Sequence, residues 1–192
     1  IATSFPSSRA MSSTWNLDLI YKCAEATANE ARWYNKNKGK GLVYWCPTIN
    51  MSRDPRWGRD EENYGEDPFL TGKIAVEFVK GMQGNDPKYY KTIATAKHFA
   101  ANNFEGGRHS TSSNMDYRNL REYYLPAFEM AVKEGNVRSI MSAYNSLNGI
   151  PCCASHELLI DILRTEWGFN GFVVSDCGAI EDIWQSNRHA YV

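Results

Sequence analysis

Four short apolar runs, at 42–49, 93–96, 137–144 and 171–175, alternate along this chain with stretches whose apolar residues recur every three to four positions. Such runs read as buried strands, and such stretches read as helices packed by one face. A strand–helix–strand order makes the strands parallel, because each crossover helix returns the chain to the same end of the sheet. The expected class is therefore α/β. A (β/α) barrel and an open doubly wound sheet both fit 192 residues. No Gly-x-Gly-x-x-Gly or Walker loop follows any of the runs, so the nucleotide-binding version loses its support. The chain carries no internal repeat and no low-complexity linker.

Local signals place the helices. Thr14 is the expected N-cap of a helix over 15–35, with Leu17, Tyr21, Ala24, Ala28 and Ala31 on one side. Asp67 followed by Pro68 marks a second start, because proline is preorganised for the first helical position. Leu70, Ile74, Phe78 and Met82 then repeat at every fourth residue. Asp116 opens a third helix that reaches Gly135, with Pro126 as an expected kink. Ser155 caps a fourth that stops at Gly168.

The net charge of −1 provides no electrostatic case for nucleic acid or an anionic membrane. No apolar run is long enough to span a bilayer. Aromatic residues reach 13%, which suits both core packing and flat, amphipathic ligands such as sugars. The five cysteines lack metal-ligand spacing and read as free thiols or at most two bridges. His98, His109, His156 and His189 show no ligand spacing either, so neither a metal nor a cofactor is expected. The chain opens on Ile1 with no initiator Met and no signal peptide, and it stops at Val192 without closing an element. An internal piece of a longer protein is expected.

The polar residues of interest lie where the apolar runs end. The run at 93–96 enters Lys97-His98, and the run at 171–175 enters Asp176. In a parallel barrel those ends share the face that carries chemistry. Asp176 suits a nucleophile, a metal ligand or a helix cap. A buried lysine is costly without a partner, so Lys97 is hard to explain as packing. Neighbours on a regular strand point to opposite faces. If Lys97 and His98 grip one ligand, the backbone must leave β geometry there, by a bulge or a cis peptide. The loop Arg53-Asp54-Pro55-Arg56-Trp57-Gly58-Arg59 holds three guanidinium groups. For any one of them a salt-bridge network with Glu61, Glu62, Glu66 and Asp67 is the better explanation. Glu105, Arg108 and His109 sit in a second loop suited to hydroxyl-rich ligands or simply to solvent. Tyr144, just past Met141-Ser142-Ala143, suits a ligand, a neighbouring carboxylate or packing.

Taken in order, seven segments resemble glycoside hydrolase family 3 over nearly the whole chain. They are Thr3-Ser4-Phe5-Pro6, Asp54-Pro55-Arg56-Trp57-Gly58-Arg59, Gly65-Glu66-Asp67-Pro68, Lys97-His98-Phe99, Met141-Ser142-Ala143-Tyr144-Asn145, Asn148-Gly149-Ile150-Pro151 and Val174-Ser175-Asp176. The resemblance implies part of a (β/α)8 barrel, lacking its first strand and its C-terminal end. It implies hydrolysis of terminal β-linked sugars with retained configuration. Asp176 matches the catalytic nucleophile. Arg59, Lys97, His98 and Arg108 match residues that hold sugar hydroxyls. Tyr144 matches a tyrosine beside the nucleophile, and Met141 a residue lining that pocket.

The family's acid/base glutamate belongs to a second domain, expected downstream, so none is assigned within this chain. Asp54 to Arg59, Gly65 to Pro68 and Ser175-Asp176-Cys177 look like the β-xylosidase branch. Asn102-Asn103-Phe104-Glu105 is similar to β-glucosidases, which remain a rival together with α-arabinofuranosidases. The partner implied is an oligosaccharide or aryl glycoside, and the location implied is secreted or periplasmic. From other classes, a sugar-binding piece without turnover and a metal-dependent barrel enzyme stay as alternatives.

Overall fold

The computed structural model describes residues 2–191. Its helices are α1 (Ser8–Ser12), α2 (Leu17–Lys38), α3 (Pro68–Gln83), α4 (Tyr117–Asn119), α5 (Pro126–Lys133) and α6 (Ala179–Asp182). Its strands are β1 (Val43–Tyr44), β2 (Ile93–Phe99), β3 (Ser112–Ser113), β4 (Ser139–Ser142), β5 (Ser146–Leu147), β6 (Ile150–Pro151) and β7 (Phe172–Ser175). The sheet order β1-β2-β4-β7 is parallel throughout. The curled sheet and its helices form part of a (β/α) barrel, in agreement with the order of runs in the sequence.

Capping chemistry explains most helix ends. Asp67 Oδ1 accepts the Leu70 N–H at 2.6 Å and Pro68 occupies the first turn of α3, as expected. The start of α2 corrects the assignment of Thr14. The N-cap is Asn16, whose Oδ1 accepts the Leu19 N–H at 3.0 Å. The Thr14 hydroxyl donates to the Met11 carbonyl at 2.7 Å and its oxygen accepts the Asn16 N–H at 3.2 Å, ahead of the helix. At the other end Gly39 closes α2 with φ +64°, a conformation that costs a glycine little.

Proline sets two further departures. The run at 42–49 is not one strand. Pro47 has no N–H to give, so the ladder cannot continue regularly. Only Val43–Tyr44 pair as β1, yet the segment stays beside β2. Cys46 O accepts from Thr95 N at 2.9 Å, Pro47 O from Lys97 N at 3.1 Å, and Ile49 N donates to Lys97 O at 2.8 Å. The helix opened by Asp116 breaks before Pro126. Residues Leu120–Tyr124 wind as a wider π turn, closed by Leu125 N to Leu120 O at 3.1 Å, and α5 follows. The helix after Ser155 is also π-wound, over Glu157–Glu166; Ser155 Oγ accepts the Leu158 N–H at 3.2 Å and Gly168 follows at φ +72°.

The core lies between the sheet and its helices. Ala94 and Ala96 give β2 a flat face, and Ile74, Val79, Phe128, Ile140, Leu158 and Ile162 pack into the same cluster. Phe99 meets Phe128 at 5.1 Å and Trp167 at 5.8 Å, both edge-on. Helices α2 and α3 approach so closely that a Cβ on Gly81 would stand 2.5 Å from the Tyr21 carbonyl oxygen. On the two edge strands β1 and β7, Val43 and Phe172 stay about half exposed. A small second sheet, β3 parallel to β5 and β5 antiparallel to β6, turns at Asn148-Gly149 with both φ positive.

Candidate active site

The register brings the polar strand ends together. Phe99 pairs with Ser142, and Ser142 with Ser175, so Lys97, His98, Tyr144 and Asp176 all lie at the C-terminal ends of β2, β4 and β7. Asp176 N continues the ladder to Ser142 O at 3.1 Å. Its Oδ1 accepts the Cys177 N–H at 2.8 Å, and its backbone carbonyl accepts the Ala179 N–H that opens α6. The carboxylate is buried, and Oδ2 stands 3.5 Å from His98 Nε2.

His98 is held by Asn50, a residue that the sequence reading passed over. Asn50 Nδ2 donates to the His98 carbonyl at 2.9 Å, and Asn50 Oδ1 accepts the His98 backbone N–H at 2.8 Å. Those two bonds orient the amide, so the same Oδ1, 3.1 Å from Nδ1, takes a hydrogen bond from that ring nitrogen. Burial pushes the imidazole well below its ordinary pKa, and the nearby Arg59, Lys97 and Arg108 charges act in the same direction. A neutral ring donating from Nδ1 leaves Nε2 as an acceptor facing the site. The only signal for Asn50 in the sequence was an amide at the end of an apolar run.

Lys97 reaches the same cluster. The Lys97–His98 peptide is cis, as is Phe99–Ala100, and the β2–β4 register shifts between Ala96 and Phe99. Burial lowers the Lys97 pKa and Arg59 adds to this, while Glu62 and Asp176 oppose it. Arg59 carries a two-point bond to Glu62, Nε to Oε1 and Nη2 to Oε2, each 2.7 Å. The salt-bridge alternative thus holds for Arg59 as far as Glu62, yet its charge still acts on Asp176. Arg56 pairs with Asp54 at 2.6 Å on the surface, and Arg53 donates to the Tyr124 hydroxyl.

Tyr144 sits under a clamp of loop residues. The Arg108 guanidinium lies 4.5 Å over its ring, and the His109 ring meets it at 4.4 Å. Burial, followed by the Asp176 carboxylate, pushes its phenol up to about 12. Glu105 bridges two loops, accepting from Trp57 Nε1 at 3.0 Å and from Arg108 Nη1 at 2.8 Å. Met141 is fully buried beside Val174 and exposes no surface. All five cysteines are free thiols. Among the described residues no three His, Cys, Asp or Glu side chains converge as a metal-ligand set.

A carboxylate at a parallel strand end, ringed by cationic and hydrogen-bonding groups from neighbouring strand ends, is the arrangement of barrel enzymes. The chain belongs to glycoside hydrolase family 3: the model described as "Glycosyl hydrolase family 3 N terminal domain" matches residues 1–191. A xylan 1,4-beta-xylosidase of Xylanibacter ruminicola is 42% identical over 97% of this chain and 23% of its own length. An exo-1,4-beta-xylosidase, bxlB, of Emericella nidulans is 41% identical over 100% of this chain and 26% of its own. The solved exo-beta-xylosidase XlnD, in complex with a xylobiose aziridine probe, superposes with a TM-score of 0.95 at 36% identity, over 100% of this chain and 26% of that one. Beta-glucosidase 3B of Thermotoga neapolitana, in complex with glucose, gives 0.83 at 43% identity, over 91% and 23%. The chain spans about a quarter of the length of the curated relatives it matches.

Proposed function

We propose that this chain supplies the nucleophile half of a retaining, exo-acting β-glycosidase whose substrates are β-xylosides. The observation that carries the reading is the Asp176 carboxylate facing His98 Nε2 at 3.5 Å, within the field of Lys97 and Arg59. Asp176 attacks the anomeric carbon and forms a glycosyl-enzyme, which water then opens. Arg59, Lys97, His98 and Arg108 hold ring hydroxyls, and the Met141 side chain backs the pocket beside β7. The neutral His98 ring accepts a hydrogen bond from a sugar hydroxyl at Nε2. The positive groups complement the charge of the carboxylate, and preorganised donors of this kind bind more strongly as charge develops.

The proton for the leaving oxygen comes from elsewhere. Glu62 is held below its ordinary pKa first by Arg59 and is a poor acid, and Glu105 is committed to Trp57 and Arg108. We assign the acid to a glutamate of a further domain, whose carboxyl group must come to about 5–5.5 Å from Asp176 in a retaining enzyme. The half-exposed side chains of Val43 and Phe172, on the two edge strands β1 and β7, support further barrel strands in the longer protein, since parallel sheets are covered on both faces. The segment alone is then a sugar-binding piece without turnover. Xylosidase names among the relatives favour xylose, and the β-glucosidase likeness keeps glucose as the second reading. A secreted or periplasmic location is part of this proposal, since the polysaccharides that yield such β-xylosides do not enter the cytoplasm.

Incubating the full-length protein with a 2-fluoro-β-xyloside, which slows the second step, tests the assignment. Peptide mapping is expected to find the sugar on Asp176. A label on another carboxylate overturns it. A label from the matching glucoside alone moves the substrate to glucose.

A further inference from the structure

Besides Arg108, Tyr144 is anchored by a group of residues that the proposed reaction does not use. Asp182, at the end of α6, is buried, with its side chain 4% exposed. Its Oδ2 accepts from His109 Nδ1 at 2.7 Å, and its Oδ1 takes Arg188 Nη1 at 3.1 Å. A carboxylate withdrawn from water needs such partners. His109 is the pivotal one, because its ring also meets Tyr144 at 4.4 Å and 63°. That edge contact occupies one side of the Tyr144 ring, and Arg108 covers a face at 4.5 Å. The backbone of Tyr144 is held as well. Its carbonyl accepts from His189 Nε2 at 2.7 Å, and His189 Nδ1 lies 2.9 Å from Ser146 Oγ. The His189 N–H in turn donates to the Asp182 carbonyl at 3.1 Å.

The segment after β7 is therefore tied back onto the residue that flanks Asp176. We propose that Asp182 is a positioning residue: through His109 it fixes the Tyr144 ring, and so the phenol beside the Asp176 carboxylate. The proposal rests on the reading of Asp176 as nucleophile. The physical basis is that a side chain free to swing about χ1 would carry its phenol away from the carboxylate, whereas a ring wedged by His109 cannot. Misplacement by about 1 Å, from a group remote from the reacting bond, costs on the order of 10²-fold in rate.

The test uses Asp182→Asn, Asp182→Ala and His109→Gln in the full-length protein, with active sites counted by the fluorosugar label. Asp182→Ala and His109→Gln are expected to lower kcat per labelled site by roughly 10- to 100-fold, with KM little changed. Asp182→Asn, which keeps an acceptor, falls between these and the parent. In a Tyr144→Phe background the same changes add little, because the path they act through is already cut. A merely structural Asp182 would reduce the labelled fraction and the Tm but leave kcat per labelled site unchanged; that result overturns the proposal. Effects that multiply with Tyr144→Phe also overturn it. A crystal structure of His109→Gln decides the geometry without any assay: the Tyr144 ring is expected to shift, and an unmoved ring refutes the clamp. If Asp176→Asn keeps parental activity, the reading of the nucleophile fails, while the ring position still decides the role of Asp182.

Discussion

Strand β2 contains two regions of opposite character within seven residues. In Ile93 to Ala96 the side chains are small or branched, and the alanines press against the helix layer. In Lys97 to Phe99 an ammonium, an imidazole and a buried ring follow one another, and the register with β4 breaks. The first region is governed by packing density, where volume decides the cost of a change. The second is governed by polar partners, where leaving a buried group unpaired decides it. Phe99 joins them: its ring belongs to the core with Phe128 and Trp167, directly after Lys97 and His98.

The sharpest way to break this division is Asp176→Asn in the full-length protein. If Asp176 is the proposed nucleophile, turnover is expected to fall by roughly 10⁴-fold or more, while the Tm is expected to hold, because the amide keeps the shape and the Cys177 N–H bond. Steady-state kinetics with calorimetry check both halves. Phe128→Ala is the converse. It opens a cavity behind Phe99 and is expected to cost about 3–5 kcal/mol of stability. Activity per labelled site should stay near the parent, and a large loss there would show that the two regions are not separable.

Asn50→Ala tests the seam between them. It removes three contacts to His98, two of them to its backbone. Stability is expected to drop by about 1–3 kcal/mol for the unpaired buried groups, and activity by on the order of 10²-fold through misplacement of the ring. Denaturant melts and kcat per labelled site measure the pair. The smallest effect concerns pH. His98 has its pKa depressed in the folded state, so the unfolded chain takes up a proton first, near its ordinary value of about 6.5. Below that pH the unfolded state binds more protons, and stability falls as pH falls. Tm measured from neutral to mildly acidic pH should decline more steeply for the parent than for His98→Gln; parallel slopes would place the ring in a solvated setting.

Much of this molecule was legible before any fold was known. Alternating apolar runs and three- to four-residue periods determined an α/β chain with parallel strands, because those periods follow from backbone geometry alone. The Asp67-Pro68 start was equally local, since a cap bonds to the turn beside it. So was the gathering of Lys97, His98, Tyr144 and Asp176 at one end, since parallel strands deliver their C-terminal ends to the same face.

Other features depended on distant partners. Thr14 and Asn16 both suit a cap, and the Thr14 oxygen accepts from Asn16 while Asn16 accepts from the first turn of α2. Pro47 interrupted a strand that its apolar neighbours suggested, yet the segment remained beside β2 because the Cys46 and Pro47 carbonyls still found donors there. Arg59 met Glu62, three residues on in sequence, but its action on Asp176 came only from the sheet. The hold of Asn50 on His98 spans 48 residues, and that of Asp182 on His109 spans 73. A carboxylate or an amide in a sequence states what it can bond to. Which partner it meets is a property of the packed chain, because only packing removes the water that would otherwise satisfy it.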